Sequence, residues 1–196
     1  MAIFQNAKFL TTCVKKDQFP VSDLPELVLA GRSNVGKSSL INALCQQKSL
    51  AYVGKRPGKT RYINFYQVEH HAMLVDVPGY GYARRSHQEL IAYGELMEDY
   101  FELREQIQAV ILVIDSRHGL SEDDEDMLDF VEDEGYPVLI VATKTDKLTY
   151  SEKLKVKETM TKLYNHPVVL FSSIDKTGQE EVEAWLKKFI KTQALS

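Results

Sequence analysis

One stretch of this chain says most about its architecture: Gly31-Arg32-Ser33-Asn34-Val35-Gly36-Lys37-Ser38. It matches the pattern G-x-x-x-x-G-K-[ST] and lies between a predicted strand at residues 27–30 and a predicted helix at residues 38–46. Backbone N–H groups of such a loop can close around phosphate oxygens, and the helix that follows points its positive end at them. The strand–loop–helix context makes a chance match improbable, so the stretch predicts a phosphate-binding loop.

Outside this loop, short apolar runs rich in Val, Ile and Leu alternate with longer amphipathic stretches. The alternation is typical of an α/β fold in which a mostly parallel sheet carries helices on both faces. Strands are predicted at residues 9–14, 27–30, 64–68, 73–77, 110–115, 138–143 and 168–172. Helices are predicted at residues 38–46, 87–104, 121–134 and 150–163, and a last one after Gly178, where the apolar stripe comprises Val182, Trp185, Leu186, Phe189 and Ile190.

The composition is that of an ordinary globular protein, with 196 residues, 44% apolar and 27% charged residues, and a formal net charge of -4. We therefore predict one domain over residues 1–196. The two cysteines, Cys13 and Cys45, are far apart and form no metal or redox motif, which favours buried thiols in a reducing compartment. No apolar run is long enough for a signal peptide or a membrane span, so we expect a soluble cytoplasmic protein.

Two short motifs have direct roles at the phosphates and at a metal ion. In the phosphate loop, Lys37 would neutralise the β and γ phosphates, and the Ser38 hydroxyl would bind Mg²⁺. The second motif, Asp76-Val77-Pro78-Gly79, ends a predicted strand. There the Asp76 carboxylate can reach the Mg²⁺ shell, usually through water, and Gly79 can offer its N–H to the γ phosphate.

Between these motifs lies Arg56-Pro57-Gly58-Lys59-Thr60-Arg61, a loop whose Pro and Gly disfavour regular structure. The Thr60 hydroxyl can complete the Mg²⁺ shell. Such a loop gains order only when the γ phosphate and the metal hold it. The alternative is a basic connection without a nucleotide role, since Pro and Gly often only interrupt regular structure.

A further motif, Thr143-Lys144-Thr145-Asp146, lies at the carboxyl edge of the predicted sheet, where open α/β sheets bind ligands. The Asp146 carboxylate can accept hydrogen bonds from guanine N1–H and from the exocyclic amine beside it. Adenine presents an acceptor at N1 and no such amine, a mismatch that discriminates by about 10⁴-fold. The aliphatic stem of Lys144 can lie on the base plane, and backbone groups of Ser172 and Ser173 could read the guanine carbonyl.

In this order, the motifs resemble the signatures of the translation-factor-related GTPases, in the class that contains TrmE, Era, EngA and the septins. Within that class the chain resembles the EngB family, also called YihA or YsxC, of ribosome-biogenesis GTP-binding proteins. The match runs over nearly the whole chain: G-R-S-N-V-G-K-S-S at 31–39, P-G-K-T at 57–60, N-F-Y at 64–66, D-V-P-G-Y-G-Y at 76–82 and T-K-x-D at 143–146. Thr143 stands where the broader class has Asn, and EngB-like proteins share this threonine.

The motifs and the resemblance together predict a three-layer G domain of the P-loop NTPase fold, with the strand at residues 64–68 running antiparallel. The predicted catalytic residues are Lys37, Thr60, Gly79 and Asn34, and the predicted Mg²⁺ ligands are Ser38, Thr60 and Asp76. The predicted GTP-binding residues are Gly31, Arg32, Ser33, Asn34, Val35, Gly36, Lys37, Ser38, Ser39, Gly58, Lys59, Thr60, Arg61, Asp76, Val77, Pro78, Gly79, Thr143, Lys144, Thr145, Asp146, Ser172 and Ser173.

The sequence supplies no evident side chain to orient the attacking water. Ras-like switches place a Gln directly after the D-x-x-G glycine, whereas this chain has Tyr80. In relatives such as TrmE the asparagine that matches Asn34 holds K⁺ beside the phosphates; alternatively, Asn34 only tolerates a tight loop conformation. Arg84 and Arg85 are other sources of positive charge. Because an arginine finger contributes about 10³- to 10⁵-fold, a chain without one and without the Gln should hydrolyse GTP slowly alone.

Basic residues crowd the two segments expected to change with nucleotide state: Lys55, Arg56, Lys59, Arg61, Arg84 and Arg85. The resemblance implies that the partner is the large ribosomal subunit during its assembly, and it links such proteins to septation and cell division. Contact with RNA phosphates would weaken steeply with salt. The alternative is that these charges only offset the bound triphosphate. We expect a monomer.

Two other functions fit parts of the sequence. A phosphotransferase that uses ATP would need a lid and an acceptor pocket, and would have no reason to carry the motif at residues 143–146. A nucleotide-stabilised binding module would hydrolyse GTP only incidentally. Competition of ATP against GTP tests the first, and partner association in the two nucleotide states tests the second.

Overall fold

The computed structural model describes residues 3–52, 62–81 and 86–190. Within them one sheet is built from seven strands: β1 (Ala7–Cys13), β2 (Glu26–Ala30), β3 (Ile63–Val68), β4 (Ala72–Asp76), β5 (Ile107–Asp115), β6 (Val138–Thr143) and β7 (Val168–Leu170). The helices of the described residues are α1 (Lys37–Leu44), α2 (His87–Leu103), α3 (Glu122–Asp133), α4 (Tyr150–Tyr164) and α5 (Gln179–Leu186). None of these helices is long and apolar enough to cross a lipid bilayer.

The strands lie in the order β1-β3-β4-β2-β5-β6-β7. Strand β3 pairs antiparallel with both β1 and β4, and the other neighbours pair parallel. This confirms the predicted α/β fold with a mostly parallel sheet and one reversed strand. All side chains of β2, β4 and β6 are buried, as expected for central strands covered on both faces.

Two apolar cores lie on opposite faces of the sheet. One core contains Val28 and Ala30 of β2 and side chains from α2, α3 and α4, including Tyr100 and Met160. The other contains Leu27 and Leu29 of β2 and side chains from α1 and α5. Because successive strand residues point to opposite faces, four of the five residues of β2 serve the two cores, two in each. The molecule therefore has the predicted three layers.

The end of the sheet opposite the candidate site is fixed by a buried ionic cluster at Glu26, the first residue of β2. Glu26 is fully buried and accepts a hydrogen bond from Tyr100 Oη at 2.8 Å and one from Arg104 Nε at 3.0 Å. Arg104 Nη1 also donates to the Pro20 carbonyl at 2.9 Å. A buried carboxylate with several donors is stable only as a complete set, so this cluster anchors the end of α2 to the sheet.

The structure corrects one predicted boundary near the candidate site. The strand predicted to reach Ser172 ends at Leu170, because the chain then turns and the Ser172 N–H donates to the Thr177 carbonyl at 3.1 Å. Gly178, at a φ of +75°, permits this turn, since a Cβ there would lie 2.1 Å from the Leu170 carbonyl oxygen. The other boundaries differ from the predicted ones by a few residues, as expected for element ends.

Candidate functional site

The phosphate loop lies between β2 and α1, as the sequence predicted, and close packing requires its first glycine. A Cβ at Gly31 would lie 2.2 Å from the Val113 carbonyl oxygen. Gly36, at a φ of +118°, is the N-cap residue directly before α1 and offers no side-chain hydrogen bond to cap it. Helices α2, α3 and α4 begin instead with reciprocal capping boxes. The N-terminal N–H groups of α1 therefore suit an anion supplied from outside the chain.

Lys37 lies inside the loop rather than in solvent. Its side chain is 8% exposed, and Nζ donates to the Gly31 carbonyl at 3.1 Å. Asp76, at the end of β4, has Oδ1 3.9 Å from the same nitrogen. The start of α1 and the end of β4 therefore place a cation and a carboxylate side by side at the carboxyl edge of the sheet.

Asp76 is a buried carboxylate with one oxygen that accepts no hydrogen bond from the described residues. The residue is 3% exposed, and Oδ1 has no hydrogen bond within the part of the chain that the structure describes. Burial raises the pKa of this carboxyl to about 6, although the Lys37 charge opposes the shift. A buried oxygen of this kind fits a hard cation such as Mg²⁺, which prefers oxygen ligands.

The remaining donors are also consistent with Mg²⁺. Ser38 stands next to Lys37 in the first turn of α1, so the set consists of a hydroxyl and a carboxylate. Residues 3–52, 62–81 and 86–190 contain no group of three or more His, Cys, Asp or Glu side chains arranged to hold a metal. Mg²⁺ commonly binds through one or two protein oxygens together with phosphates and water, which this donor set permits. Thr60, the other predicted ligand, lies outside the described residues.

The D-x-x-G turn packs directly on the phosphate loop. The Ser33 N–H donates to the Tyr80 carbonyl at 3.1 Å, and Ser33 Oγ donates to the Gly79 carbonyl at 3.4 Å. Arg32 Nη2 reaches the Gly81 carbonyl at 3.5 Å. A Cβ at Gly79 would lie 2.8 Å from the Ser33 nitrogen, so only glycine fits this approach. The structure thus brings Gly79 beside the loop.

Tyr80, at the position of the missing Gln, points away from the loop. Its side chain enters the core beneath α3, where 7% of the residue is exposed and Oη donates to Asp124 Oδ1 at 2.8 Å. A side chain held in this way is not directed at a phosphate bound by the loop. This agrees with the expectation that Tyr80 does not orient the attacking water.

At the base motif, Thr143 connects the motif to the phosphate loop. Its hydroxyl lies within hydrogen-bonding distance of the Val35 carbonyl and 2.9 Å from the Ile114 carbonyl. Its methyl group would lie 3.4 Å from a Cβ at Gly36. Thr143, which stands where the broader class has Asn, thus holds the phosphate loop through its own hydroxyl.

Lys144 forms the second connection. Its Nζ donates to the Asn34 carbonyl at 3.0 Å and to Asp115 Oδ2 at 2.8 Å. Arg117 holds the same carboxylate through Nε at 2.9 Å and Nη2 at 2.7 Å. Burial alone would raise the pKa of Asp115, but the bonds from Arg117 and Lys144 outweigh it and hold that pKa well below its ordinary range. Asp115 is therefore ionised at neutral pH, and no motif in the sequence marks it.

Asp146 lies at the rim of the same edge. Its side chain is 15% exposed, with Lys147 Nζ 3.3 Å from Oδ2 and Ser172 Oγ 3.4 Å from Oδ1. Because the Ser172 N–H already bonds within its own loop, it is not available to read a base carbonyl. The neighbouring Ser173 is exposed, and its contact with the base stays a prediction. It also lines a cavity of about 470 Å³ together with Ser39.

The other predicted residues divide into two groups. Val35, Val77, Pro78 and Thr145 are buried, so they support the motifs rather than presenting side chains at the edge. Several predicted residues lie outside the described ones, so the structure does not bear on them: Lys55, Arg56, Pro57, Gly58, Lys59, Thr60, Arg61, Tyr82, Arg84 and Arg85.

Comparison with known proteins gives concordant matches. A family model described as 50S ribosome-binding GTPase matches residues 26–144. The probable GTP-binding protein EngB of Bacillus cereus strain B4264 is 45% identical over 191 residues, covering 95% of this chain and 96% of that protein. A protein of the same description from Bacillus cytotoxicus is 46% identical, with the same coverage.

Solved structures have a similar fold. The crystal structure of a probable GTP-binding protein EngB has a TM-score of 0.67 at 22% identity and covers 84% of this chain and 97% of its own. An Era variant from Aquifex aeolicus bound to GDP and AlF₄⁻ also has a TM-score of 0.67 at 22% identity, covering 86% of this chain and 57% of its own. At these identities the likeness concerns the fold.

Proposed function

This chain belongs to the EngB family of GTP-binding proteins, and from that membership we propose that it is a slow GTPase whose nucleotide states control assembly of the large ribosomal subunit. Binding and hydrolysis of GTP follow from the family. We also propose that the chain is a monomeric G domain over residues 1–196. It would act in the cytoplasm with Mg²⁺ and would have a downstream effect on septation and cell division. We further propose that GTP-state and GDP-state surfaces differ in affinity for the ribosomal subunit.

One observation carries the nucleotide site: Lys144 joins the base motif to the phosphate loop through its 3.0 Å bond to the Asn34 carbonyl. This bond fixes the distance between the groups that would hold the two ends of the nucleotide. Lys37 and the N-terminus of α1 would then bind the phosphates, and the Asp146 carboxylate would accept from the guanine edge. The aliphatic part of Lys144 would pack against the base.

The residues at the phosphate end have separate roles. Mg²⁺, when bound, would neutralise charge on the β and γ phosphates, and Ser38, Asp76 and Thr60 would hold it. Lys37 would neutralise the same oxygens from within the loop. Gly79, fixed beside Ser33, would donate its N–H to the γ phosphate. Together these residues would make the D-x-x-G turn sensitive to the presence of that phosphate.

Slow turnover is supported by the direction of Tyr80. Since its hydroxyl is bonded to Asp124 in the core, the position that carries Gln in Ras-like switches supplies no amide and no charge. Asn34 is exposed in the loop at a φ of +64°. We propose either that it helps to bind K⁺ or that it only forms the turn. Its geometry is compatible with both roles.

Two measurements on the purified chain test this proposal. Hydrolysis of GTP should be slow in Na⁺, and we expect it to be faster with large ribosomal subunits; a further increase in K⁺ would assign that cation to the Asn34 site. Association with the subunits should differ between GDP and a slowly hydrolysed GTP analogue, and should weaken as salt rises. Lys37→Ala should abolish the nucleotide dependence. Equal association in both states would contradict the switch and favour a binding module.

A further inference from the structure

Tyr80 and Asp124 connect the D-x-x-G turn to helix α3. The two residues are 44 positions apart, and their hydrogen bond of 2.8 Å is buried. Tyr80 is 7% exposed and Asp124 is 2% exposed. Hydrogen bonds to buried carboxylates are among the stronger ones in proteins, so this contact restrains the backbone at residue 80.

The acceptor is itself held in place. Asp124 is part of the capping box of α3, where its Oδ2 accepts from the Ser121 N–H at 2.9 Å and from Ser121 Oγ at 2.7 Å. One carboxylate oxygen therefore caps the helix while the other receives the tyrosine. Because α3 packs on the sheet through Leu128 and Val131, Asp124 is a rigid point of attachment.

Tyr80 is held at both of its ends. Its side chain binds Asp124, and its main-chain oxygen accepts from the Ser33 N–H at 3.1 Å. Burial, together with the neighbouring Asp124 charge and hydrogen bond, raises the pKa of Tyr80 above its ordinary range, so the phenol remains a donor at every physiological pH. Gly79, whose carbonyl accepts from Ser33 Oγ, lies directly before this fixed residue.

We propose that Asp124 is a positioning residue for GTP hydrolysis, acting through Tyr80 to hold the Gly79 backbone where a γ phosphate is recognised. In Ras-like switches the side chain after the D-x-x-G glycine acts at the phosphate. Here the Tyr80–Asp124 hydrogen bond instead fixes the main chain at that position. The inference rests on the proposed contact between Gly79 and the γ phosphate. It adds that the acidic N-terminus of α3 contributes to discrimination between GTP and GDP.

The test is a double-mutant cycle with Tyr80→Phe and Asp124→Ala in the full chain. Affinity is measured for GDP and for a slowly hydrolysed GTP analogue, and hydrolysis is followed in single turnovers. Tyr80→Phe keeps the ring in the core and removes only the hydroxyl. In Tyr80→Phe we expect the GTP analogue to bind several-fold more weakly, the effect on affinity of losing about one buried hydrogen bond. GDP affinity should change by less than about twofold. The double variant should lose no more discrimination than the larger single change.

The chain contains a closely matched control. Tyr100 is also buried and also donates to a buried carboxylate at 2.8 Å, but its partner Glu26 begins β2 at the end of the sheet opposite the site. Tyr100→Phe should lower the melting temperature like Tyr80→Phe and leave the ratio of the two affinities unchanged. Ser121→Ala removes both hydrogen bonds between the Ser121 hydroxyl and Asp124, the one it accepts from the Asp124 N–H and the one it donates to Oδ2, and controls for loss of the cap.

The outcomes separate this inference from the proposed function. Equal weakening of GDP and analogue by Tyr80→Phe, or a ratio no different from that of Tyr100→Phe, would assign the bond to stability alone and overturn the inference. Additive losses in the double variant would also overturn it. Retention of both nucleotides by Lys37→Ala would instead overturn the proposed phosphate site.

Discussion

Lys144 and Asp115 form an ion pair behind the phosphate loop, with Nζ 2.8 Å from Oδ2. The pair is only partly accessible, since the side chain of Lys144 is 35% exposed and that of Asp115 is 12% exposed. It orients the lysine so that the same ammonium also reaches the Asn34 carbonyl. The position of the base motif relative to the phosphate loop therefore depends on Asp115, which is part of neither motif.

Asp115→Asn should accordingly weaken GDP and GTP to a similar degree. We expect a loss of roughly 3- to 30-fold, which is smaller than the full value of a charge-assisted hydrogen bond because the Asn amide oxygen can still accept from Lys144. Titration with a fluorescent guanine nucleotide measures it. Glu158→Gln, which breaks the exposed Lys162–Glu158 pair of 2.7 Å, is the control and should leave affinity unchanged. Unaltered affinity in Asp115→Asn would show that Lys144 needs no carboxylate partner.

Asp146→Asn should shift base preference from guanine toward xanthine. An amide can donate to the xanthine oxygen but cannot accept from both guanine donors, so GDP affinity should fall by on the order of 10²- to 10⁴-fold. Competition among GDP, XDP and ADP against a labelled nucleotide measures the change. Lys147→Ala removes the neighbouring charge at 3.3 Å and should keep the guanine preference. Unchanged preference in Asp146→Asn would contradict the carboxylate contact.

Ser38→Ala should reduce the dependence of nucleotide affinity on Mg²⁺. The wild type should bind GDP more tightly with Mg²⁺ than with a chelator. The Ser38 hydroxyl and the Asp76 oxygen that accepts no hydrogen bond from the described residues would supply protein ligands to the ion. In the variant the two affinities should approach each other. Calorimetric titration in both buffers gives the difference. If the GDP affinity of the wild type were the same with Mg²⁺ and with a chelator, the proposed metal site would be contradicted.

Cys45 should resist thiol reagents in the folded protein. Burial raises the pKa of its thiol from 9.0 to about 12, and burial also raises that of Cys13. At pH 8 the thiolate fraction of Cys45 should be lower by about 10³-fold, which a chromogenic disulfide reagent measures before and after denaturation. Since the folded state keeps this proton more tightly, the thiol's contribution to the free energy of unfolding should fall as pH rises from 9 to 12. Rapid labelling of the native chain would contradict the burial.

Much of the fold followed from local patterns. Continuous apolar runs identified the central strands, and the phosphate loop fixed the order of β2 and α1, because each depends on residues adjacent in the chain. The reversal of β3 came from the family resemblance, since strand direction is set by partners far away in sequence. The end of β7 was misplaced because a turn around Gly178 takes up the Ser172 N–H.

The motifs of the candidate site were predictable, but their supports were not. Asp115 closes a strand without any motif, and its importance is evident only when Lys144 and Arg117 are seen on either side of it. The direction of the Tyr80 side chain depends on Asp124, 44 positions away. Such contacts join distant parts of the chain and leave no periodic pattern in the sequence.

The place of β3 inside the sheet limits how another protein could recognise this one. Both edges of β3 are already occupied, by β1 and by β4, so main-chain pairing by an incoming strand is blocked there. The edge strand on this side of the sheet is β1, where a bulge interrupts the register between Phe9 and Thr11 and discourages strand addition. We therefore expect recognition on this side to depend on surface chemistry rather than on extension of the sheet.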